Sequence, residues 1–197
     1  MQRILFTLII FLYLSFQVSA QHGKIIENFS LINAINKQKI SLSDYKDKKA
    51  IAIIFTSNYC PYSKLYEDRI LSLHKSFSQK GLQVLLINPN DPQKSANDSI
   101  EKMAEKASEK NYPFPYLADK SHTVGKQLGA TKTPEVFLLV RKGNGFEIVY
   151  NGAIDDNPQV PQDVNESYVS DAVATVLQGK SLSVSSHKPT GCIIKNN

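Results

Sequence analysis

The chain has two cysteines, and the first of them, Cys60, stands where its thiol could act as a nucleophile. It follows an almost purely apolar run at residues 50–56 and precedes Pro61, a residue type favoured at the first position of a helix. A cysteine at such a junction lies beside unpaired backbone N–H groups and the positive end of the helix dipole, which lower the pKa of the thiol. A thiolate attacks disulfides and peroxides. The position therefore predicts a reactive thiol rather than a cysteine that is merely small and apolar.

The second cysteine, Cys192, lies in a polar C-terminal tail. A cysteine nucleophile that has become a mixed disulfide or a sulfenic acid needs a second thiol to complete turnover. From Gly179 an extended tail spans about 40 Å at ~3.3 Å per residue, and the radius of gyration of such a domain is about 15 Å. Redox pairing with Cys60, within or between chains, is therefore predicted. A static Cys60–Cys192 disulfide, a link between two chains of a homodimer and a tail thiol without a role are the alternatives.

The elements that must position Cys60 follow from hydrophobic periodicity and turn residues. Alternating segments at 24–32 and 37–42 predict an N-terminal β-hairpin, and the apolar run predicts a central strand buried on both faces. The remaining predicted elements are a helix closed by Gly81, a strand at 82–87, a helix at about 99–110 capped by Asp98, a strand at 116–118, a helix at 121–128, a hairpin of 135–141 with 146–151, and a helix at about 165–178. This order predicts an α/β fold, a thioredoxin-like three-layer α/β/α sandwich with a central mixed sheet.

Several segments of the chain carry a joint resemblance to one superfamily. They are residues 56–69, 88–91, 112–117 and 154–157, with Thr133-Pro134 and Gly191-Cys192. Together they resemble the peroxiredoxin-like branch of the thioredoxin superfamily, the AhpC/TSA or redoxin type, over nearly the whole chain after residue 20. The resemblance implies a catalytic Cys60, with Pro134 as a cis-proline facing it.

The chain departs from both better-known groups of that superfamily. Thioredoxins carry Cys-x-x-Cys after a tryptophan, whereas Ser63 stands at the second cysteine position and the chain has no tryptophan. Typical peroxiredoxins carry a proline, a threonine and a later arginine, where this chain has Ile53, Ser57 and Pro134. Ser57 can still donate a hydrogen bond that supports the thiolate. Thiol–disulfide exchange and a thiol peroxidase reaction both remain open.

The residues around Cys60 and the resemblance together predict an exported thiol–disulfide oxidoreductase or a peroxiredoxin-like antioxidant protein. Its partner would be a thiol or disulfide protein, or a peroxide. The alternative is a binding module that keeps the fold and has lost turnover, and a Cys60 pKa well below ~8.5 would favour chemistry over it. The candidate catalytic residues are Cys60, Cys192, Ser57, Thr133 and Pro134, and the candidate substrate-binding residues are Tyr62 and Ser63.

Composition and the histidines exclude several other functions. Hydrophobic residues make up 42% and charged residues 21%, which suits a globular core. The net charge of +5 comes from scattered lysines, so nucleic-acid binding is not predicted. The histidines lie too far apart for metal-ligand spacing, and no glycine-rich phosphate loop follows a strand. Neither a metal nor another cofactor is therefore predicted.

The N-terminus has the order of a secretory signal peptide. Arg3 precedes an apolar run at 4–16, and Val18-Ser19-Ala20 supplies the small residues of a cleavage site. The run is shorter than the ~20 residues that a membrane anchor needs. The predicted protein is secreted or periplasmic, with no stable membrane insertion after cleavage. Its parts are a signal peptide at 1–20, a thioredoxin-like domain at 21–180 and a tail at 181–197 that carries Cys192.

Overall fold

A computed structural model describes residues 23–195 of the chain. The predicted signal peptide at 1–20 lies outside the described residues. Within residues 23–195, no helix is long and apolar enough to cross a membrane.

Most strands form one mixed nine-stranded sheet. Its strands are β1 (Ile25–Ile26), β2 (Ser30–Asn33), β3 (Lys39–Ser41), β4 (Ala50–Phe55), β5 (Leu82–Asn88), β6 (Tyr116–Ala118), β8 (Glu135–Lys142), β9 (Gly145–Gly152) and β10 (Ser186–His187). The order across the sheet is β1-β9-β8-β4-β5-β6-β2-β3, and β10 also pairs with β9. Two further strands, β7 (Lys132–Thr133) and β11 (Cys192–Ile193), pair with each other in a separate small sheet.

Four α-helices flank the sheet: α1 (Pro61–Phe77), α2 (Ile100–Glu109), α3 (Thr123–Leu128) and α4 (Tyr168–Leu177). Short 3-10 helices occupy Leu42–Tyr45, Ser78–Lys80, Ala96–Asp98 and Pro161–Asp163. The strand β4 is the centre of this arrangement, because it pairs in parallel with β5 and antiparallel with β8 and all six of its residues are buried.

Alternate residues of β4 contribute to two hydrophobic clusters on opposite faces of the sheet, as the period of a strand requires. Ala52 and Ile54 belong to the cluster that also contains buried residues of α1, α2 and α4. Ile53 and Phe55 belong to the other cluster, which contains Val124 of α3. The predicted three-layer α/β/α sandwich is therefore confirmed. The continuous apolar run at 50–56 arises because both faces of β4 are covered.

The N-terminal hairpin is confirmed in part. The strands β2 and β3 pair antiparallel, with Leu31 opposite Ile40. The residues before them do not extend the hairpin, because β1 pairs with β9 at the opposite end of the sheet. The predicted second hairpin is confirmed as β8 and β9, which pair antiparallel with a register shift between Leu138 and Leu139.

Candidate functional site

Cys60 lies at the junction between β4 and α1, as its sequence position predicts. It is the N-cap residue of α1 with an extended backbone, and Pro61 is the first helical residue. Its carbonyl oxygen accepts a bond of 3.2 Å from the Lys64 N–H, which begins the helix. Its side chain is 1% exposed and forms a disulfide with Cys192 within the same chain. The sulfur therefore stands at the start of the helix, where backbone N–H groups lack helical partners.

The residues Thr133 and Pro134 lie opposite Cys60. The bond between them is cis, as the sequence resemblance implies. The sulfur of Cys60 lies 2.9 Å from the Thr133 carbonyl oxygen. In the disulfide no proton stands between these two atoms, whereas the reduced thiol could donate a hydrogen bond there. The cysteine and the proline segment therefore form a single site.

Cys192 reaches this site on the strand β11. It is in antiparallel register with Thr133, and Ile193 is in register with Lys132. A Cβ added at Gly191 would collide with the Thr133 carbonyl group, so only glycine allows the tail to approach this closely. The strand pairing and Gly191 together place the second sulfur over the first.

The rest of the tail is fixed to the body of the protein. Its strand β10 lies parallel to β9, and the Ala153 N–H donates to the His187 carbonyl oxygen at 3.0 Å. Beyond Cys192, the Ile194 N–H donates to the Thr131 carbonyl oxygen at 3.2 Å, and the Ile194 side chain is buried in the core. The polar tail predicted from the sequence is thus an ordered segment that holds Cys192 from both sides.

The strand β7, which receives the tail, is itself held by Glu135. One carboxylate oxygen of this buried residue accepts N–H bonds from Thr131 at 2.8 Å and from Lys132 at 2.9 Å. Burial raises the pKa of Glu135, while these hydrogen bonds act in the opposite direction. The carboxyl group therefore fixes the backbone against which Cys192 is placed.

Two predicted site residues have contacts that differ from the expectation. The Ser57 hydroxyl, expected to support the Cys60 thiolate, donates at 3.0 Å to the Asp98 carboxylate. Ser63, expected to bind substrate, is 1% exposed and its hydroxyl accepts the Ser57 N–H at 3.3 Å. The Ser63 side chain lies under the turn, and its role in substrate binding stays a prediction. Both serines order the turn that carries Cys60.

Asp98 is a further residue of the site, which its sequence context does not reveal. Predicted as a helix cap, it is replaced in that role by Ser99, whose hydroxyl accepts the Lys102 N–H at 3.3 Å. The Asp98 carboxylate is buried and accepts five groups, which are the Asn58 N–H at 2.7 Å and the side chains of Ser57, Asn88, Asn90 and Ser95. Two of these donors, at 57 and 58, lie three and two residues before Cys60, so Asp98 anchors the turn.

Burial alone would raise the pKa of Asp98, but hydrogen bonds from Ser95, Asn90, Asn88 and Ser57 outweigh it and hold the pKa below its ordinary value of 3.8. A carboxyl group whose pKa is depressed by folding stabilises the fold above its unfolded pKa, and the contribution is lost as pH falls through the folded pKa.

We expect the substitution Asp98→Asn to lower the free energy of unfolding of the oxidised protein by about 1–3 kcal/mol near pH 7. The loss should shrink as pH falls through the lowered pKa of Asp98, because the wild-type carboxyl group then becomes protonated. Urea unfolding at several pH values measures it, and a loss independent of pH would contradict the prediction. As the control, Asp119→Asn should give a loss that grows as pH falls, because burial raises the pKa of Asp119.

The surface beside the disulfide is partly apolar. Tyr59 is 53% exposed and Ile193 is 72% exposed, and each directly adjoins one of the two cysteines. The Lys195 ammonium group lies 3.9 Å from the centre of the Tyr59 ring. Tyr62, in the first turn of α1, is half-buried and stays a predicted substrate contact. Of the two cysteines, Cys192 is the more exposed residue.

Two cavities lie near these elements. One of about 660 Å³ lies between α1 and α4 and contains neither cysteine in its lining. Another of about 170 Å³ is bordered by Pro134 and by the tail residues His187, Lys188 and Thr190. Neither cysteine lines the smaller cavity, which adjoins the site through Pro134. Among residues 23–195, no group of three His, Cys, Asp or Glu side chains could hold a metal ion.

Comparison with known proteins places this site in a family. The model of the AhpC/TSA family matches residues 22–148, which include Cys60 and Pro134. The chain belongs to the AhpC/TSA family. This AhpC/TSA protein is an oxidoreductase of the thioredoxin fold, and the matched region ends before the tail that carries Cys192.

Solved structures resemble this AhpC/TSA protein over most of its length. A hypothetical protein from Sinorhizobium meliloti 1021 is 32% identical, with 90% of this chain and 95% of that chain covered and a TM-score of 0.82. An uncharacterized conserved protein from Geobacillus kaustophilus is 30% identical, with coverage of 89% and 92% and a TM-score of 0.80. Peroxidoxin BcpB from Mycobacterium tuberculosis, 18% identical with coverage of 81% and 94% and a TM-score of 0.55, shares the fold. No curated protein matches the chain.

Proposed function

We propose that this protein is a thiol–disulfide oxidoreductase with Cys60 as the nucleophile and Cys192 as the resolving thiol. The observation that carries the proposal is the disulfide between Cys60, at the start of α1 and opposite cis-Pro134, and Cys192 on β11. A local second thiol is absent at position 63, and the ordered tail supplies one from a distant part of the chain.

The reaction follows from the arrangement of the two sulfurs. The Cys60 thiolate attacks one sulfur of a substrate disulfide, which forms a mixed disulfide and releases the other substrate sulfur as a thiolate. The Cys192 thiolate then attacks the Cys60 sulfur, and the second substrate sulfur leaves as a thiolate. The substrate disulfide is reduced, and the protein is left with the Cys60–Cys192 bond. An external dithiol reduces that disulfide by the same exchange and returns the protein to its dithiol form, while the dithiol is oxidised to a disulfide.

The positions of the arginines favour disulfides over peroxides as substrates. A positive group beside the oxygen that develops negative charge would favour a peroxidase reaction. Arg69 donates to the Asp155 carboxylate at 2.6 Å and to the Asn157 carbonyl oxygen at 2.7 Å. Arg141 lies six residues along β8 from Glu135, a distance of about 20 Å at the rise of a strand. Of the two arginines within residues 23–195, Arg69 is thus bonded to Asp155 and Asn157, and Arg141 lies far along β8 from the Cys60 site.

The test uses the Cys192→Ser variant, in which the first step has no resolving thiol. We expect its reduced form, mixed with a peptide disulfide, to accumulate a covalent adduct at Cys60 that intact-mass spectrometry and peptide mapping detect. The wild-type protein under the same conditions should instead accumulate the Cys60–Cys192 bond. A free Cys60 thiol after incubation would reject the proposal and favour a binding module. Adduct formation with hydrogen peroxide alone would favour the peroxidase reaction.

The proposed setting is an oxidising compartment outside the cytosol. The residue order at 1–20 supports export, and an oxidising compartment allows a disulfide such as Cys60–Cys192 to persist. The proposed partner is a protein thiol or disulfide. The exposed side chains of Tyr59 and Ile193, which adjoin the two cysteines, offer an apolar surface that supports a protein partner.

A further inference from the structure

The two segments that carry the cysteines meet at one buried side chain, Asn90. Its amide nitrogen donates to the Asp98 carboxylate at 2.8 Å and to the Ser57 hydroxyl at 3.1 Å. Its amide oxygen accepts the Lys195 N–H at 2.8 Å. Asn90 is 4% exposed, so water does not compete for these bonds. One side chain therefore bonds to the turn before Cys60 and to the backbone of Lys195, three residues after Cys192.

A second contact strengthens the link on the tail side. The Asp91 N–H donates to the Lys195 carbonyl oxygen at 3.1 Å, so both backbone groups of Lys195 bind the 90–91 segment. The tail is thus fixed at two points, at Cys192 by pairing with Thr133 and three residues later by the contacts of Lys195. On the other side, Asp98 accepts the Asn58 N–H two residues before Cys60. Asp98 and Asn90 form a continuous hydrogen-bonded bridge between the two cysteine segments.

We propose that Asp98 and Asn90 are positioning residues for the redox pair, which deepens the proposed function and rests on it. By fixing the turn and the tail relative to each other, the bridge raises the effective concentration of one sulfur at the other. The equilibrium between the dithiol and the disulfide therefore lies further toward the disulfide than the two unbridged segments would give.

A purely structural role predicts a different result. If the bridge stabilises the oxidised and the reduced protein equally, its loss leaves their ratio unchanged, since the redox equilibrium depends on the difference between the two stabilities. If it positions the sulfurs, its loss must shift the ratio. The redox equilibrium constant therefore separates the two roles, whereas the overall stability does not.

The test is the equilibrium of the pair with glutathione, in which one oxidised glutathione and the protein dithiol give the protein disulfide and two reduced glutathiones. Asn90→Ala removes the bridge and leaves Asp98 its other donors. We expect the constant for disulfide formation to fall about tenfold, which corresponds to the net contribution of about one of the three hydrogen bonds lost. Asp98→Asn should change it in the same direction. The fraction oxidised is read by thiol alkylation and mass spectrometry.

Asp119→Asn is the matched control. Asp119 is fully buried and its carboxylate accepts the Thr123 N–H at 2.9 Å and the Gly125 N–H at 2.8 Å, in contacts outside the bridge. This variant should lose stability and keep the equilibrium constant within about twofold of wild type. A constant for Asn90→Ala within that same range would overturn the proposal.

If Asp98→Asn fails to fold, Asn90→Ala decides the question alone. The result is also separable from the proposed function, because glutathione opens and closes the pair whether or not the protein turns over a substrate. A wild-type pair that equilibrates with glutathione, in a protein that forms no Cys60 adduct with peptide disulfides, would reject the function and still report the effect of the bridge.

Discussion

The substitution Cys60→Ser should reduce the rate of disulfide exchange by about three orders of magnitude or more, because a serine hydroxyl is not ionised near neutral pH and cannot replace the thiolate. Cys60 is the cysteine at the start of α1 and opposite Thr133. Cys192 lies on β11 and cannot replace it as the nucleophile at that position. The rate is measured as loss of a fluorogenic peptide disulfide under single-turnover conditions.

Cys192→Ser provides the control, since it makes the same chemical change at the other sulfur. Its first turnover should proceed at a rate near that of wild type, and further turnovers should stop at the mixed disulfide. Equal loss of the first turnover in both variants would mean that Cys60 is not the attacking sulfur. Unchanged activity of Cys60→Ser would reject the enzymatic assignment altogether.

A second large effect concerns stability. The Cys60–Cys192 bond joins residues 132 positions apart, which encloses most of the described chain in one covalent loop. Such a bond restricts the unfolded chain, and its reduction should lower the free energy of unfolding by about 2–5 kcal/mol. Urea unfolding of wild-type protein with and without reductant measures the difference. We expect a lower midpoint for the reduced protein.

The variant Cys192→Ser should unfold at the same urea concentration with and without reductant, because it has no disulfide to lose. Its midpoint should lie close to that of the reduced wild type. Identical midpoints for oxidised and reduced wild type would show that the bond adds nothing to the contacts of the tail. A reductant-sensitive midpoint in the variant would point to a bond between chains.

The centre of the fold was predictable from sequence for a local reason. Burial on both faces left a continuous apolar run for β4, and the following proline marked the start of α1. These two signals place Cys60 correctly without any knowledge of the other strands. The same holds for the hairpin of β8 and β9, where the turn residues lie between two apolar runs.

The tail was not predictable in the same way. The strands β10 and β11 are two residues long each, and so short a segment has no hydrophobic period that could identify it. Their partners, β9 and β7, are distant in sequence and determine where they lie. The length of the tail allows Cys192 to reach Cys60, and the pairing of β11 with β7 brings it there.

Asp98 illustrates a second limit. An aspartate just before a helix is typical of an N-cap, and nothing in the neighbouring residues distinguishes that role from that of a buried hydrogen-bond acceptor. Its donors at 57 and 58 are about forty positions away, and only the packing of the turn against the 88–98 segment brings them together. The burial of Ser63 was not predictable for a related reason, because a position in the first helical turn does not reveal which face of the turn is buried.

The pairing of β11 with β7 has a consequence for association between molecules. An unpaired strand edge presents free N–H and C=O groups and is a template for strands of other chains. Here the chain fills that edge of β7 with its own residues, Cys192 and Ile193. The strand that carries Cys192 therefore also covers the edge of β7 and protects it from edge-to-edge pairing with other chains. In the oxidised state the disulfide bond holds this strand in place.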